Sequence, residues 1–240
     1  MWRVGTVVAL HDETATARTI TLDVAGWPGH LAGQHVDVRL TAPDGYSTAR
    51  SYSIASAPNT LARVEITVER LPDGEVSPYL TRELLVGDAI EVRGPLGRWF
   101  VWRTHQHEPI QLVAGGSGIA PLMAMIRTRI AANSSAPFRL LYSVREPQAI
   151  LYRDELQALG PAVTVDYVYT RVAPASSSRP PGRIDADVIA ATTWPTSRDP
   201  LCYVCGPTAF VESGANLLTA SGIRPDRIRT ERFGPTGERQ

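Results

Sequence analysis

Only two cysteines occur in this 240-residue chain, Cys202 and Cys205. By arithmetic alone they exclude a four-cysteine iron–sulfur cluster within this chain. Both sit in the run Leu201-Cys202-Tyr203-Val204-Cys205-Gly206-Pro207. A C-x2-C pair can be half of a zinc site or a redox dithiol. This one falls in an apolar strand, where side chains three apart face opposite sides, so two small core residues are the better reading. The five histidines (His11, His30, His35, His105, His107) lack helical ligand spacing, and no metal site is expected. Excess charge of either sign is also missing, with 24 basic residues against 24 acidic. Bulk charge therefore gives no reason to invoke nucleic acid or an anionic membrane, and any anion must be held by local arginines. No apolar run approaches membrane-spanning length, and the start, Met1-Trp2-Arg3-Val4-Gly5-Thr6, lacks a signal-peptide pattern. The expectation is a cytoplasmic protein with no membrane insertion.

What is present divides into two grammars. Up to about Trp102 the pattern is short alternating strands: Val4 to Leu10, Thr16 to Val24, His35 to Leu40, Arg50 to Ala55, Arg63 to Glu69 and Ala89 to Arg93. Turn signals such as Pro43-Asp44-Gly45 and Pro72-Asp73-Gly74 separate them. This spacing predicts an antiparallel β-barrel or sandwich. One short helix, Pro78 to Leu85, interrupts it, with Ser77 as its expected N-cap. Beyond the polar stretch around residue 106, apolar strands (Ile110 to Ala114, Phe138 to Ser143, Val163 to Tyr169, Leu201 to Cys205) alternate with helical segments. That alternation predicts an α/β doubly wound parallel sheet. The expected domains are 1–106 and 107–240.

Three motifs carry chemistry. Arg50-Ser51-Tyr52-Ser53 offers a cation, an aromatic plane and two hydroxyls at strand spacing. A flavin needs a flat partner for its ring, polar partners for its edge and a cation for its phosphate; Tyr52, Ser53 and Arg50 suit those needs. Gly74-Glu75-Val76-Ser77 leads directly into the short helix, a second phosphate cradle. A diphosphate there points to FAD rather than FMN. Gly115-Gly116-Ser117-Gly118 joins an apolar strand to an apolar helix, a junction whose backbone N–H groups suit a pyrophosphate, with Pro121 in the first helical turn. Two nucleotide-sized sites in one small chain suggest two cofactors exchanging electrons.

The combination of Arg50-x-Tyr52-Ser53, Gly74-x-x-Ser77, Gly115-Gly116-Ser117-Gly118-Ile119-Ala120-Pro121 and Cys205-Gly206-Pro207, in this order, resembles the ferredoxin–NADP reductase family. The resemblance spans Met1 to about Thr236, in the form without a fused iron–sulfur domain. It implies a Greek-key FAD-binding barrel followed by a nicotinamide-binding parallel sheet. It implies that Arg50, Ser51, Tyr52, Ser53, Gly74, Glu75, Val76 and Ser77 hold FAD, with backbone contacts from Ile66 to Glu69, Val68 among them. Gly115, Gly116, Ser117, Gly118, Pro121, Ser143, Gly206 and Pro207 would face the dinucleotide. Ser53 and Ser117 would orient the reacting flavin edge, and Cys205 would lie near the hydride path. Arg145, Arg171 and Arg183 resemble positions that grip a 2′-phosphate, which favours NADP(H) over NAD(H). Glu231 and Phe233 match the family's closing strand, Glu231 assisting positioning and Phe233 covering the ring; seven further residues follow Phe233, unlike relatives that end on the aromatic.

The implied activity is hydride transfer from NAD(P)H to FAD, then electron release to a separate acceptor: a ferredoxin, flavodoxin, oxygenase or metalloenzyme. A free flavin or quinone reductase is the alternative enzyme, and a non-catalytic nucleotide-binding redox sensor the alternative of another class.

Overall fold

The computed structural model describes residues 1–59 and 61–234. Six strands form the first sheet: β1 (Trp2–Thr14), β2 (Ala17–Val24), β3 (His35–Thr41), β4 (Ser47–Ser53), β5 (Arg63–Glu69) and β6 (Ala89–Leu96). Their order is β4-β3-β6-β1-β2-β5, every pair antiparallel. The two edges meet through an Ile54–Ile66 bridge and the Ala55 N–H donating to the Glu65 carbonyl, which curls the sheet into a Greek-key barrel. Period-two alternation explains the closure. Ile20, Leu22 and Val24 of β2 and Val64, Ile66 and Val68 of β5 turn into one core, while Glu65 and Glu69 of β5 are left half-buried outside it.

Helix α1 (Ser77–Arg82) plugs this barrel with Val76, Leu80 and the following Leu84. Two expectations are corrected here. The N-cap is Val76, and Ser77 is the first helical residue; its Oγ accepts from the Leu71 N–H at 3.0 Å, closing the turn before the helix. The helix also ends at Arg82 rather than Leu85. Leu84 drops into the core, and Leu85 is tied into the next turn by its N–H to Asp88 Oδ2 at 2.9 Å.

The second sheet is parallel: β7 (Ile110–Gly115), β8 (Phe138–Val144), β9 (Val163–Tyr169), β10 (Leu201–Pro207) and β11 (Ile228–Phe233), in the order β11-β10-β7-β8-β9. One face packs on α2 (Ile119–Ala131) and α3 (Arg153–Ala158), and the other on α4 (Ala186–Thr192) and α5 (Thr208–Ala220). Residues Ile119 to Ile126 of α2 are buried all round, because α2 also meets Ala17, Ala32 and Ala55 from the barrel half and Phe100 and Trp102 from the connection. Cys202 and Cys205 are free and buried in the cores on opposite faces, as their spacing requires. No helix among the described residues is long and apolar enough to cross a membrane. The strand order reverses between β7 and β10, and in open α/β sheets that reversal opens a ligand crevice at the carboxyl ends.

Candidate functional site

Two turns flank that crevice. After β7, Gly116 to Gly118 form a single 3-10 turn that runs straight into α2, with Pro121 in its first turn and Ser117 half-buried. Gly116 is left-handed at φ +54°, a backbone state that favours glycine. Gly118 has another reason: a Cβ there would lie 2.2 Å from the Cys205 carbonyl oxygen. The end of β10, Cys205-Gly206-Pro207, therefore lies directly against the turn after β7. Ser143 is paired with Gly115 at the same edge of the sheet and is buried.

Strand β11 brings the barrel to this edge. Glu231 is in register with Cys205 of β10, and its Oε1 accepts a hydrogen bond from Ser53 Oγ at the end of β4, 2.7 Å away. Burial pushes the Glu231 carboxyl up to about 7, against the Ser53 bond, which favours the ionised form. Burial, with the Glu231 carboxylate beside it, also holds the Cys205 thiol well above its usual range. Ser53, Cys205 and Glu231, far apart in the chain, are thus neighbours. Phe233 is half-buried against the core under α2, paired with Pro207. The tail from Pro235 onward, expected to bear on its role, lies outside the described residues.

The chain contains no lysine, so a guanidinium is the only side-chain cation it offers besides histidine. On β4, Arg50 Nη2 donates to Glu75 Oε2 at 3.0 Å, and the same carboxylate accepts from Thr48 Oγ1 and Tyr46 Oη, each at 3.3 Å. Three donors converge on one anionic group, so the donor set fits an anion such as a phosphate oxygen. Tyr52, two residues along the same face, packs on the barrel core, and burial raises its hydroxyl to about 12 against the lowering effect of Arg50. Ser51 faces away and donates to Asp37 Oδ1 at 2.6 Å, a carboxylate also held by Arg93. Ile66, Val68 and Val76 have their side chains in the barrel core, leaving only backbone for a ligand. Gly74 lies over Ser77, whose Oγ a Cβ would approach to 2.9 Å.

Arg145 and Arg171 meet where β8 and β9 end, through the Arg171 N–H donating to the Arg145 carbonyl at 2.9 Å. Gly182 N–H bonds the Tyr169 carbonyl, which places Arg183 at the same end of β9. All three guanidinium-bearing residues are exposed.

A polar seam between the halves is not signalled in the sequence. Arg127 of α2 donates to the Ala55 carbonyl and Glu65 on the barrel side, at 2.9 and 2.8 Å, and to both oxygens of Glu155 in α3. Its guanidinium lies over the Tyr152 ring, 5.1 Å from the centroid. Tyr152 is left-handed at φ +53°, buried, and bonded through its hydroxyl to Thr67 and through its N–H to Glu13 Oε2. Glu13 is tied in turn to Thr19. No local pattern signals these partners, since they come together from elements remote in the chain.

Comparison with known proteins agrees with this geometry. The families described as "Oxidoreductase FAD-binding domain" and "Oxidoreductase NAD-binding domain" match residues 13–101 and 112–215. A ferredoxin–NAD(P)(+) reductase component of naphthalene 1,2-dioxygenase/salicylate 5-hydroxylase systems from a Ralstonia species is 32% identical over 97% of this chain and 69% of its own length. The chain belongs to the ferredoxin–NADP reductase-like family of flavoprotein oxidoreductases. Among other reductases of this family, the propane 2-monooxygenase reductase component of Rhodococcus jostii is 27% identical over 96% of the chain and 62% of its own length. The chain thus spans about two thirds of these relatives. The flavohem-like FAD/NAD binding domain of a Vibrio cholerae nitric oxide dioxygenase superposes with a TM-score of 0.85 at 25% identity, covering 97% of this chain and 99% of that one. An Amycolatopsis cytochrome P450 reductase superposes at 0.84 and 26% identity, covering 98% and 70%.

Proposed function

We propose that this reductase-like chain takes a hydride from NADPH and passes electrons through FAD to a separate acceptor, an oxygenase component or its ferredoxin being the class that the relatives' names suggest. The observation that carries the reading is the Ser53–Glu231 hydrogen bond, 2.7 Å across the two halves. It sets the end of the Arg50-x-Tyr52-Ser53 strand beside the switch-point crevice, so the two nucleotide sites share a wall.

FAD, when bound, supplies a hydride acceptor and single-electron release, chemistry no side chain here provides. The chain's own residues do the rest. Arg50, with Thr48 beside it, holds phosphate; Tyr52 gives the ring a flat partner; the turn from Gly74 to Ser77 offers backbone at the second phosphate. Gly115 to Gly118, at the mouth of α2, receives the dinucleotide pyrophosphate, with Gly206 and Pro207 opposite. Ser53 and Ser117 orient the reacting edge. Glu231 holds its proton to about pH 7 beside Ser53, so this wall carries no charge in mildly acidic solution. Cys205, fully buried, helps to exclude water. Arg145, Arg171 and Arg183 have no ion-pair partner among the described residues, which supports a 2′-phosphate on the dinucleotide and hence NADPH.

The test is anaerobic mixing of the yellow holoprotein with NADPH or NADH, followed by reoxidation with ferredoxin, flavodoxin, an oxygenase component, free FMN or a quinone in separate arms. Rapid bleaching by NADPH and reoxidation by a protein acceptor are expected. Bleaching by neither dinucleotide overturns the reading, and reoxidation only by free FMN or quinone replaces it with a small-acceptor reductase.

A further inference from the structure

Gly115 is the last residue of β7, where the chain enters the glycine-rich turn, yet nothing in its own backbone asks for glycine. Its φ of −115° and ψ of 112° are ordinary extended values open to any residue. The obstacle is a side chain. The three heavy atoms nearest to a Cβ built on Gly115 all belong to the ring of Phe210, at 2.6, 2.7 and 2.9 Å. The same ring lies 2.8 Å from a Cβ built on Gly206, near the end of β10. Phe210 stands in the first turn of α5, half-buried, and packs onto the core beneath α4 and α5. One aromatic ring is therefore pressed against the α-carbons of both turns that bound the crevice.

We infer that Phe210 is a positioning residue for the dinucleotide: a spacer whose ring sets the separation of the Gly115 and Gly206 turns. The inference rests on the functional reading above, because it takes the crevice between those turns to be the nicotinamide-dinucleotide site. Backbone donors grip a pyrophosphate only if both strand ends sit at a fixed separation, and the β7–β10 ladder stops at Ala114 and Cys205, one residue short of both glycines. Gly118 already touches the Cys205 carbonyl, so the turns meet on one side. Phe210 meets both Gly115 and Gly206, and a six-membered ring cannot be compressed, so the separation is held by contact. Glycine at 115 is then explained by close approach of an aromatic ring and not by close approach of phosphate.

The test is a double-mutant cycle on the holoprotein with Phe210→Ala, Gly115→Ala and the pair together, with Phe210→Leu as the conservative variant. Stopped-flow flavin reduction separates the NADPH dissociation constant from the limiting rate; FAD content and reduction by dithionite report on the rest of the fold. Phe210→Ala is expected to raise the dissociation constant about tenfold or more while FAD content and dithionite reduction stay at wild-type values. Phe210→Leu, which keeps an apolar group on both glycines, should retain most of the affinity. Gly115→Ala should bind as poorly as Phe210→Ala, because its methyl displaces the ring. The pair should bind no worse than either single variant, the methyl now occupying space the ring has left. Multiplying effects in the pair, or a Phe210→Ala protein with wild-type affinity, overturn the spacer and leave the function intact. A wild type that neither dinucleotide reduces overturns the function and this inference with it.

Discussion

Ser53 and Glu231 are 178 residues apart in sequence and 2.7 Å apart in space, the hydroxyl of a barrel strand donating to a carboxyl on the last strand of the parallel sheet. The bond sits where burial opposes ionisation, and burial wins: the carboxyl is raised from 4.5 to about 7.

A carboxyl whose pKa rises on folding contributes full stability below its unfolded pKa, and that contribution is lost as pH climbs to the folded value. Stability should therefore fall between about pH 4.5 and 7 by an amount on the order of 3 kcal/mol from Glu231 alone. Glu231→Gln should flatten that segment of the profile, measured by urea unfolding of the holoprotein at steps of half a pH unit. Ser53→Ala removes the bond that favours ionisation and should move the fall to higher pH. An unchanged profile in Glu231→Gln would show that another group governs it.

Arg127 is one of the ties between the halves, with side-chain exposure of only 21% and ion pairs to Glu65 and Glu155. Arg127→Met leaves both carboxylates and the Ala55 carbonyl short of a partner and should cost about 2–4 kcal/mol in chemical unfolding. Arg127→Lys should recover little of it, since an ammonium cannot chelate Glu155 and reach Ala55 and Glu65 together. A lysine variant as stable as the wild type contradicts the bridging role.

Arg50 and Glu75 are half exposed, 51% and 53%, so their ion pair adds little to stability. Arg50→Ala should leave the melting temperature of FAD-free protein nearly unchanged while weakening FAD binding about tenfold, read by fluorescence titration. Equal FAD affinity in the two proteins rules out phosphate binding by Arg50.

Arg145→Ala should lower the NADPH/NADH ratio of kcat/KM about tenfold or more, chiefly through the NADPH term. A wild type that already prefers NADH ends the assignment of Arg145, Arg171 and Arg183 to a 2′-phosphate.

Burial raises the Cys202 thiol to about 12 and the Cys205 thiol well above its usual range. Neither should react with Ellman's reagent in the native protein at pH 8, and both should react in urea. Fast labelling of one thiol in the native state would mean that its strand is open to solvent.

The sequence alone determined what depends on neighbours in the chain. Period-two alternation marked five of the barrel strands closely; Val163–Tyr169 matched residue for residue, and the opposite facing of Cys202 and Cys205 followed from their spacing. The glycine turn and the Arg50-x-Tyr52-Ser53 strand were legible because their residue types are tied to local backbone and local chemistry, whereas the closing strand was marked only by the family resemblance. Ser77 was misread as a cap because its hydroxyl serves Leu71, a partner that the turn presents only once folded. Tertiary structure alone decided that Ser53 meets Glu231, that Arg127 joins Ala55, Glu65 and Glu155, and that the Phe210 ring lies over Gly115. Those contacts depend on how two sheets and α2 are packed, and period and propensity carry no record of which distant side chain fills the space above a glycine.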